Sequence, residues 1–454
     1  MAIQRILIAN RGEIALRVIR TCERLGIETV LAASKADLNS LPARRATRTL
    51  CIGPAAAAQS YLSAPTIVQA ALGSACDAIH PGYGFLSERT ELARLAEQEG
   101  VIFIGPTAQQ IEAVGDKLRA RAEAVAANVP VVPGGPAASM AEAVALGRKI
   151  GAPLLVKAVG GGGGRGMKRV DDLANLEETL ALASAEAGAA FGDDRVYLER
   201  FVGRGRHVEL QVLGDGEGRV IHLGERDCSV QRRYQKLIEE TPAPDLPPRL
   251  RADLHEAGVR FAERLDYRGA GTVEFLVDVD RGEFYFLEMN ARIQVEHPVT
   301  EAVTGIDLVE QQIAIADGQG LSLRQDDIRL DGAAIECRIN AEDPARDFMP
   351  SPGVVKQAVW PGGEGVRVDT HIGSGSAVPP FYDSLMAKVI AHGATRAEAL
   401  DRLKQALDET RIVGVASNIA FQRRILADPE FAAGGVDTGY LTRLAARDPA
   451  LLEG

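Results

Sequence analysis

The sequence lacks any apolar run that approaches the roughly 18 residues of a membrane-spanning helix. Its opening segment has only a short apolar run followed at once by charge, which is not the pattern of an export signal. Cysteine is also scarce, and no Cys-x-x-Cys pair occurs, so neither a disulfide framework nor a zinc site is indicated. We therefore predict a cytoplasmic protein without a membrane partner. Its predicted buried thiols are Cys22, Cys51, Cys76, Cys228 and Cys337.

An excess of positive charge is absent as well. Lysine and arginine total 51 against 62 aspartate and glutamate residues, for a net charge of −11. General nucleic-acid binders gain affinity by neutralising phosphates, so this balance argues against that class. The basic residues Arg226, Arg232, Arg233 and Lys236 are flanked by acidic ones, and no series of aromatic residues accompanies them. We predict no nucleic-acid partner.

The 454 residues and 46% hydrophobic content are enough for about three domains with buried cores. Alternating strand and helix patterns at the start predict a parallel sheet with helices on both faces. Antiparallel strands follow from Leu154 to Leu287. The predicted fold is α/β and α+β, with a Rossmann-like N-terminal domain (1–115), a central domain (116–330) and a mixed α/β C-terminal domain (331–454).

Five consecutive glycines, Gly160 to Gly164, follow a strand that carries Lys157. Their amides can approach phosphate oxygens without hindrance from a Cβ atom. Because Met167–Val170 is predicted as a strand rather than a helix, the dinucleotide-binding motif lacks its required context, and no Gly-Lys-Ser/Thr follows for a P-loop. Two interpretations stay open: a glycine hairpin that closes over a nucleoside triphosphate, and a flexible surface linker. Lys157 and Lys117 are candidate phosphate ligands, or else surface lysines.

Glu274 and Glu288 lie on two apolar strands that a short turn joins at Asp280-Arg-Gly282. Two buried carboxylates repel each other unless a cation or a proton lies between them, and Mg²⁺ prefers such oxygen ligands. Asn290 could supply another oxygen. The alternative is ordinary ion pairing across the hairpin.

A row of polar residues continues this pattern at every second position: Glu288, Asn290, Arg292 and Gln294. On a strand they would share one face. An arginine fork suits a planar anion, a backbone amide such as that of Val295 adds a donor, and Glu296 could act as a base toward a bound acid. The alternative is a surface ion pair. Arg338 lies on the polar side of a strand in which apolar and polar residues alternate. A solvent-exposed outer face would explain this alternation by itself.

Taken together, several motifs along nearly the whole chain resemble biotin carboxylase, a family with the ATP-grasp fold. They are Ile8–Ile14, His80–Glu88, Phe103–Pro106, Lys157–Gly166, Glu225–Ser229, Glu288–Asn290, Arg292–Glu301 and Glu336–Asp343. The resemblance implies a ligase that carboxylates the N1 atom of biotin with ATP and bicarbonate through carboxyphosphate. It also implies that the segment of about 130–203 is a lid.

The family's roles fall on matching positions of this chain. ATP would be held by Lys117, Lys157, Gly162, Gly163, Gly164, Glu199, Val202, His207, Gln231 and Lys236, and by Glu274 and Glu288 through the metal. About two Mg²⁺ or Mn²⁺ ions would bind Glu274, Glu288 and Asn290. Bicarbonate would lie against Arg292, Gln294, Val295 and Glu296, and biotin against Tyr83 and Arg338. The catalytic set would be Arg292, Glu296, Arg338 and Lys236.

Some positions depart from the family's common pattern. Tyr234 and Arg200 replace a usual histidine and lysine near the nucleotide, which puts nucleotide affinity in doubt. Arg45–Arg48 and Val415–Asn418 also differ, which puts surface contacts and partner choice in doubt.

The chain contains no Ala/Val-Met-Lys-Met site for attachment of biotin. We therefore expect a separate subunit that receives biotin on another protein. The resemblance implies a homodimeric biotin carboxylase subunit of an acetyl-CoA or other acyl-CoA carboxylase. Its partners would be a biotin carboxyl carrier protein and carboxyltransferase subunits. The alternatives are a subunit of a pyruvate carboxylase, a different ATP-grasp ligase and a catalytically silent nucleotide-binding subunit.

Overall fold

The computed structural model describes residues 3–137, 139–160, 166–448 and 451. The predicted ATP ligands Gly162, Gly163 and Gly164 lie outside the described residues. Within the described part of the chain, no helix is both long and apolar enough to cross a bilayer.

The N-terminal segment builds a parallel five-stranded sheet in the order β3-β2-β1-β4-β5, as the alternating patterns predict. The strands are β1 (Arg5–Ile8), β2 (Glu28–Ala33), β3 (Arg48–Cys51), β4 (Ala78–His80) and β5 (Ile102–Phe103). The helices are α1 (Gly12–Leu25), α2 (Leu41–Arg45), α3 (Ala64–Gly73), α4 (Thr90–Gln98) and α5 (Ala108–Gly115). The loop after β4 carries Tyr83, and Asn10 fixes it by donating to the carbonyls of Pro81 and Tyr83 at 2.7 Å.

A second, antiparallel sheet has the order β6-β9-β7-β8 and a small core of its own. Its strands are β6 (Gly134–Pro136), β7 (Leu154–Ala158), β8 (Met167–Val170) and β9 (Val196–Arg200). Helix α6 (Lys117–Ala126) precedes it, and helices α7 (Met140–Ile150) and α8 (Leu176–Phe191) belong to it. This unit falls within the segment predicted as a lid. Its closure stays a prediction.

The largest sheet is antiparallel, with eight strands in the order β14-β13-β10-β11-β12-β15-β22-β20. The strands up to residue 290 are β10 (Gly205–Asp215), β11 (Val220–Arg232), β12 (Gln235–Thr241), β13 (Arg268–Asp278) and β14 (Glu283–Asn290). Helices α9 (Pro248–Arg264), α10 (His297–Thr304) and α11 (Leu308–Ala316) accompany them. Because β12 pairs with β15, the sheet continues without a break across residue 330, the predicted domain boundary.

The C-terminal segment completes this sheet and adds small two-stranded ribbons. Its strands are β15 (Ala333–Asn340), β16 (Glu342–Asp343), β17 (Met349–Pro350), β18 (Gly353–Val354), β19 (Gln357–Val359), β20 (Val366–Thr370), β21 (Ala377–Val378), β22 (Leu385–Gly393) and β23 (Arg411–Val413). Its helices are α12 (Arg396–Glu409), α13 (Ile419–Ala427), α14 (Pro429–Ala433) and α15 (Tyr440–Arg447).

Two cores hold the parallel sheet against the large one, because alternate residues of β1 point to opposite faces. Leu7 belongs to a core that also contains Leu210 of β10 and residues of helices α3 and α4, whereas Ile8 belongs to a second core that contains residues of helix α1 and Leu213 of β10. Helices therefore cover both faces, as predicted. The consequence for the site is that the loop with Tyr83 is fixed relative to the strands of the large sheet.

All five cysteines are free thiols, and four are buried as predicted. The prediction is wrong for Cys51, which is exposed. Cys51 ends β3, which is the edge strand of the parallel sheet and so lacks a neighbour on one side.

Strand β10 tolerates no side chain at Gly214, which yields our first prediction. A Cβ atom there would lie 2.0 Å from the backbone oxygen of Tyr267. We expect Gly214→Ala to lower the free energy of unfolding by about 1–3 kcal/mol, since the backbone must move. Gly115→Ala is the control, because a Cβ atom at Gly115 meets nothing within 4 Å. Urea unfolding of both variants measures the difference, and equal stabilities would contradict the packing described here.

Candidate active site

One cavity of about 1350 Å³ lies where the parallel sheet, the lid-like unit and the large sheet meet. Most of the described residues predicted for the site line it. They are Tyr83, Lys117, Lys157, Val202, His207, Gln231, Lys236, Glu274, Glu288, Asn290, Arg292, Gln294, Val295 and Arg338. Glu199 and Glu296 do not belong to the lining. Both are buried behind it.

Strand register places a row of charged residues across the floor of this cavity. Glu288 of β14 pairs with Glu274 of β13, Glu274 pairs with Glu209 of β10, and Glu209 pairs with Arg226 of β11. Directly opposed residues of an antiparallel ladder share a face. Three adjacent carboxylates therefore lie side by side, with one buried arginine at the end of the row.

Lys236 of β12 neutralises most of this negative charge. Its ammonium group lies 3.0 Å from Oε1 of Glu274 and 2.7 Å from Oε1 of Glu296, and it also donates to Glu209. Burial alone would lower the pKa of Lys236, but the three carboxylates raise it well above its usual value. Lys236 is thus a fixed cation, and its three donors are all directed at carboxylates.

Glu274 and Glu288 have opposite electrostatic environments. Burial favours the neutral form of both carboxyls, but Lys236 and His207 hold the pKa of Glu274 well below its usual range. For Glu288, burial together with the charge of Glu274 outweighs the opposing charges of Lys117 and His207 and raises its pKa. His207 Nε2 lies 2.9 Å from Oε2 of Glu274.

The donor set of this region fits a hard divalent cation. Opposed carboxylates beside an amide oxygen are the ligands that Mg²⁺ and Mn²⁺ prefer. The amide nitrogen of Gln294 donates both to Asn290 Oδ1 and, at 3.3 Å, to Glu274 Oε1, so these two oxygens lie near each other. Among the described residues, His207, Glu209 and Glu274 also bring three ligand atoms within 4.8 Å of one another. His207 and Glu209 are therefore additional candidates for the metal region.

The polar row after Asn290 is assembled differently from the prediction. Strand β14 ends at Asn290, so Arg292 and Gln294 do not continue a strand. They lie on the turn that leads into α10, and the guanidinium of Arg292 donates to the amide oxygen of Gln294 at 2.7 Å. Glu88 accepts from Nε of Arg292 at 2.9 Å and from the backbone N–H of Ala291 at 3.1 Å. The turn, rather than a strand, brings the row together.

Glu296 and Arg338 meet in the interior beneath the cavity. The guanidinium of Arg338 donates to Oε2 of Glu296 at 2.9 Å and, through Nε, to Oε1 of Glu239 at 2.6 Å. Burial disfavours the charge on Glu296, but Lys236 and Arg338 hold its pKa well below its usual range. Burial raises the pKa of Glu239 to about 7 against the opposing charge of Arg338. Arg338 thus bridges two buried carboxyl groups, of which Glu296 has a lowered pKa and Glu239 a raised one.

Strand β15 shows why Arg338 is difficult to identify from its pattern. Ile335, Cys337 and Ile339 join the C-terminal core, as the alternation predicts. The opposite face is not a solvated outer face, because Glu336 is fully buried and Arg338 is only 17% exposed. Helix α10 packs on that face, where Val299 and Val303 share a small core with Ala334 of β15, so the polar residues of the strand point into the molecule.

On the opposite wall, Lys157 and Lys117 face the cavity. Lys157 Nζ lies 2.5 Å from Oε2 of Glu199, which also accepts from Arg121 at 3.2 Å. Burial, partly opposed by Glu288, lowers the pKa of Lys117. The cavity therefore has cations on two sides: these lysines above, and Lys236 and the arginines below.

Sequence reasoning missed five buried residues of this region: Glu13, Glu209, Glu239, Glu336 and Lys388. Glu209 had a usable signal, since it lies two residues after His207 on an alternating strand and so shares its face. Glu239 and Glu336 are paired across β12 and β15, and no short motif marks that pairing. From the sequence alone, Arg226 had no role beyond that of a basic residue flanked by acidic ones. In the structure Arg226 is fully buried and donates to Glu209 at 2.6 Å.

Family models match nearly the whole chain. Residues 2–111 match the biotin carboxylase N-terminal domain, residues 116–324 the ATP-binding domain of the carbamoyl-phosphate synthase L chain, and residues 336–443 the biotin carboxylase C-terminal domain. Biotin carboxylase of Pseudomonas aeruginosa is 51% identical over 449 residues, which cover 98% of this chain and 99% of that protein.

Two solved structures are similar over their full lengths. Biotin carboxylase of Campylobacter jejuni, in a complex named β-γ-ATP, has a TM-score of 0.93 and 44% identity, with coverage of 97% of this chain and 99% of that one. The biotin carboxylase domain dimer of Hydrogenobacter thermophilus 2-oxoglutarate carboxylase, with MgADP, ADP and bicarbonate, has a TM-score of 0.93 and 43% identity. The match covers 100% of this chain and 99% of the chain of that domain.

The charge cluster around Lys236 yields a stability prediction. Lys236→Met leaves three buried carboxylates without their shared cation, and we expect the free energy of unfolding to fall by about 3–5 kcal/mol. Adding Glu274→Gln should recover part of that loss, because one of the unpaired charges is then removed.

Urea unfolding of the single and double variants measures this coupling. The exposed Lys356→Met is the matched control, with an expected change within about 0.5 kcal/mol. Additive effects of Lys236→Met and Glu274→Gln would show that the two groups do not interact.

Proposed function

This chain belongs to the biotin carboxylase family, and on that basis we propose that it carboxylates biotin with ATP and bicarbonate. The observation that carries the proposal is the position of Glu296, which is held by Lys236 on one side and by Arg338 on the other. One carboxylate is thereby in contact with the cation predicted for ATP and with the cation predicted for biotin.

The cations of the cavity would bind and orient the triphosphate of ATP. Lys117 and Lys157 approach from one wall and Lys236 from the floor, which suits a chain of negative charges between them. Glu199 and Val202 would lie near the adenine, and Gln231 and His207 would flank the phosphates. Phosphoryl transfer needs little covalent chemistry from the protein, so this positioning and charge neutralisation account for most of catalysis.

Glu274, Glu288 and Asn290 would hold Mg²⁺ or Mn²⁺, which when bound would neutralise charge on the phosphate oxygens. The raised pKa of Glu288 agrees with this role, since a carboxylate beside another carboxylate is stabilised by an added cation. Gln294 donates to Asn290 Oδ1 and to Glu274 Oε1, which keeps these two oxygens near each other.

Bicarbonate would bind at the turn after β14. Arg292, Gln294 and the backbone N–H of Val295 would hold the anion, while Glu296 takes its proton. Because Lys236 and Arg338 keep the pKa of Glu296 low, Glu296 becomes an effective base only when these cations turn toward substrate. Binding of ATP phosphates by Lys236 would cause this change and so couple nucleotide binding to deprotonation.

The remaining steps would transfer carbon dioxide to biotin. Attack of the bicarbonate oxygen on the γ-phosphorus gives carboxyphosphate and ADP, and carboxyphosphate decomposes to carbon dioxide and phosphate. That phosphate takes the N1 proton of biotin, and N1 then bonds to carbon dioxide. Arg338 would stabilise the enolate of the ureido group, and Tyr83 would help hold biotin.

We further propose that the chain is a homodimeric, cytoplasmic subunit that carboxylates biotin on a separate carrier protein. A carboxyltransferase would then pass the carboxyl group to acetyl-CoA or another acyl-CoA. The full-length match to Pseudomonas aeruginosa biotin carboxylase supports this, and the similar domain of 2-oxoglutarate carboxylase is a dimer. Pyruvate as the final acceptor is the alternative within the family.

The test is release of ADP from ATP and Mg²⁺ with bicarbonate and biotin added separately and together. We expect full turnover only when both are present. Turnover that ignores biotin would indicate a different ATP-grasp ligase, and ATP binding without any turnover would indicate a catalytically silent subunit.

Removal of Arg338 should separate biotin carboxylation from nucleotide binding. We expect Arg338→Ala to lower biotin-dependent turnover by about 100-fold or more, as for loss of a donor to a developing oxyanion. ATP binding, measured by calorimetry, should change little. Arg396→Ala is the matched control, because Arg396 binds the neighbouring Glu240 but does not line the cavity. Equal losses of turnover and ATP binding in Arg338→Ala would contradict the role given to Arg338.

A further inference from the structure

A buried lysine lies beneath the proposed bicarbonate site without a part in the mechanism above. Lys388 of β22 is fully buried, and directly opposite Arg338 in the sheet. Its ammonium group donates to the backbone carbonyl of Val295 at 2.7 Å and lies 3.1 Å from Oε1 of Glu13. A buried ammonium group is retained only where such partners compensate for its desolvation.

Glu13 extends this contact to the other side of the cavity. Glu13 lies on α1 and is 3% exposed, and its Oε1 accepts from the hydroxyl of Tyr83. Burial raises the pKa of Tyr83 well above its usual value, so its hydroxyl keeps its proton as the donor. Because Tyr83 lines the cavity, one ion pair connects the wall proposed for biotin with the turn proposed for bicarbonate.

The three segments joined in this way are far apart in sequence. Glu13 lies on α1 and Tyr83 on the loop after β4, both in the N-terminal segment, whereas Val295 lies on the turn after β14 and Lys388 on β22, the last long strand of the large sheet. The carbonyl and the N–H of Val295 belong to the two peptide groups on either side of its Cα atom, so fixing the carbonyl limits the freedom of the N–H proposed as an anion donor. The hydroxyl of Tyr83 is restricted in the same way through Glu13.

Other charged groups face this pair, and none replaces its contacts. Asp369 is paired with Lys388 across β20 and β22, but its carboxylate binds Arg367 at 2.7 Å. Glu336 lies beside Lys388, yet neither of its carboxyl oxygens has a hydrogen-bond partner among the described residues. His297 Nε2 also lacks a partner there.

We propose that Glu13 and Lys388 are positioning residues for the carboxylation reaction. Together they hold the Val295 backbone and the Tyr83 hydroxyl in fixed relative positions, so that bicarbonate and biotin bind to preorganised groups. This inference rests on the proposed function, since it takes Val295 and Tyr83 as parts of the bicarbonate and biotin sites. It assigns no proton transfer to either residue.

The experiment uses Glu13→Gln, Lys388→Met and the double variant in the full chain. Neither single variant is neutral toward folding, because each leaves one buried charge unpaired. The double variant removes both charges and keeps the side-chain volumes similar, so it remains a test if Lys388→Met does not fold. ADP release then gives kcat and separate KM values for ATP, bicarbonate and biotin.

We expect the double variant to raise KM for both bicarbonate and biotin by about tenfold each, the size of an ordinary oriented hydrogen bond, with KM for ATP unchanged. Tyr83→Phe should raise KM for biotin alone. Its effect should be smaller in the Glu13→Gln background than in the wild type, because the hydroxyl has lost its fixed partner. The double variant Arg396→Met/Glu240→Gln is the control, as it removes another buried ion pair outside the cavity lining.

The outcomes are distinguishable. Wild-type turnover that ignores biotin or bicarbonate would overturn the proposed function itself. Wild-type turnover that needs both, together with unchanged KM values in Glu13→Gln and in the double variant, would overturn the positioning role. A fall in kcat with all three KM values unchanged would likewise overturn the proposed positioning of the two substrates, since that role requires weaker binding of bicarbonate and biotin.

Discussion

Compensation of buried negative charge is the constraint on which this active site depends. Glu209, Glu274 and Glu296 converge on the ammonium group of Lys236, and Arg338 binds Glu296 from the other side. Such an arrangement is stable only while every charge keeps a partner, because an unpaired buried charge costs several kcal/mol. The charged side chains therefore neutralise one another. Under the proposed function, phosphates and bicarbonate would compete with the carboxylates for the same cations, and a metal ion would bind the carboxylates in place of those cations.

The continuous eight-stranded sheet makes this compensation geometrically feasible. The carboxylates of β10, β13 and β14 lie in one row of paired residues. The cations Lys236 and Arg338 come from β12 and β15, on the side of the sheet that the C-terminal strands extend. A domain boundary drawn at residue 330 divides the sequence between β14 and β15 but not the sheet. The two sides of that boundary share hydrogen-bonded strands, so Arg338 is positioned by the same ladder that positions Lys236. This explains how one carboxylate, Glu296, can contact both.

Site residues could be predicted from the sequence where their positions follow a local periodicity. They could not be predicted where they depend on which strands are neighbours in the sheet. The βα units, the hairpin of Glu274 and Glu288 and the strand of Arg338 were all predictable from alternation. The row from Glu288 to Gln294 was predicted as one strand, but the chain turns at Ala291 so that Gln294 can donate back to Glu274 and Asn290. The contacts of Glu239 and Lys388 depend on the pairing of β15 with β12 and β22. Pairing between strands far apart in sequence leaves no local pattern to detect.

The two departures from the family's common pattern that were predicted to lie near the nucleotide, Arg200 and Tyr234, have different surroundings. Arg200 does not line the cavity, and its guanidinium donates to Tyr285 and lies 3.6 Å from Asp278, on the hairpin of β13 and β14. This substitution therefore acts on the contact between the lid-like unit and the large sheet. Tyr234 does line the cavity and is 60% exposed, at a hairpin turn where Arg233 and Tyr234 both have positive φ. Under the proposed function, Tyr234 is therefore the departure that would act on nucleotide binding.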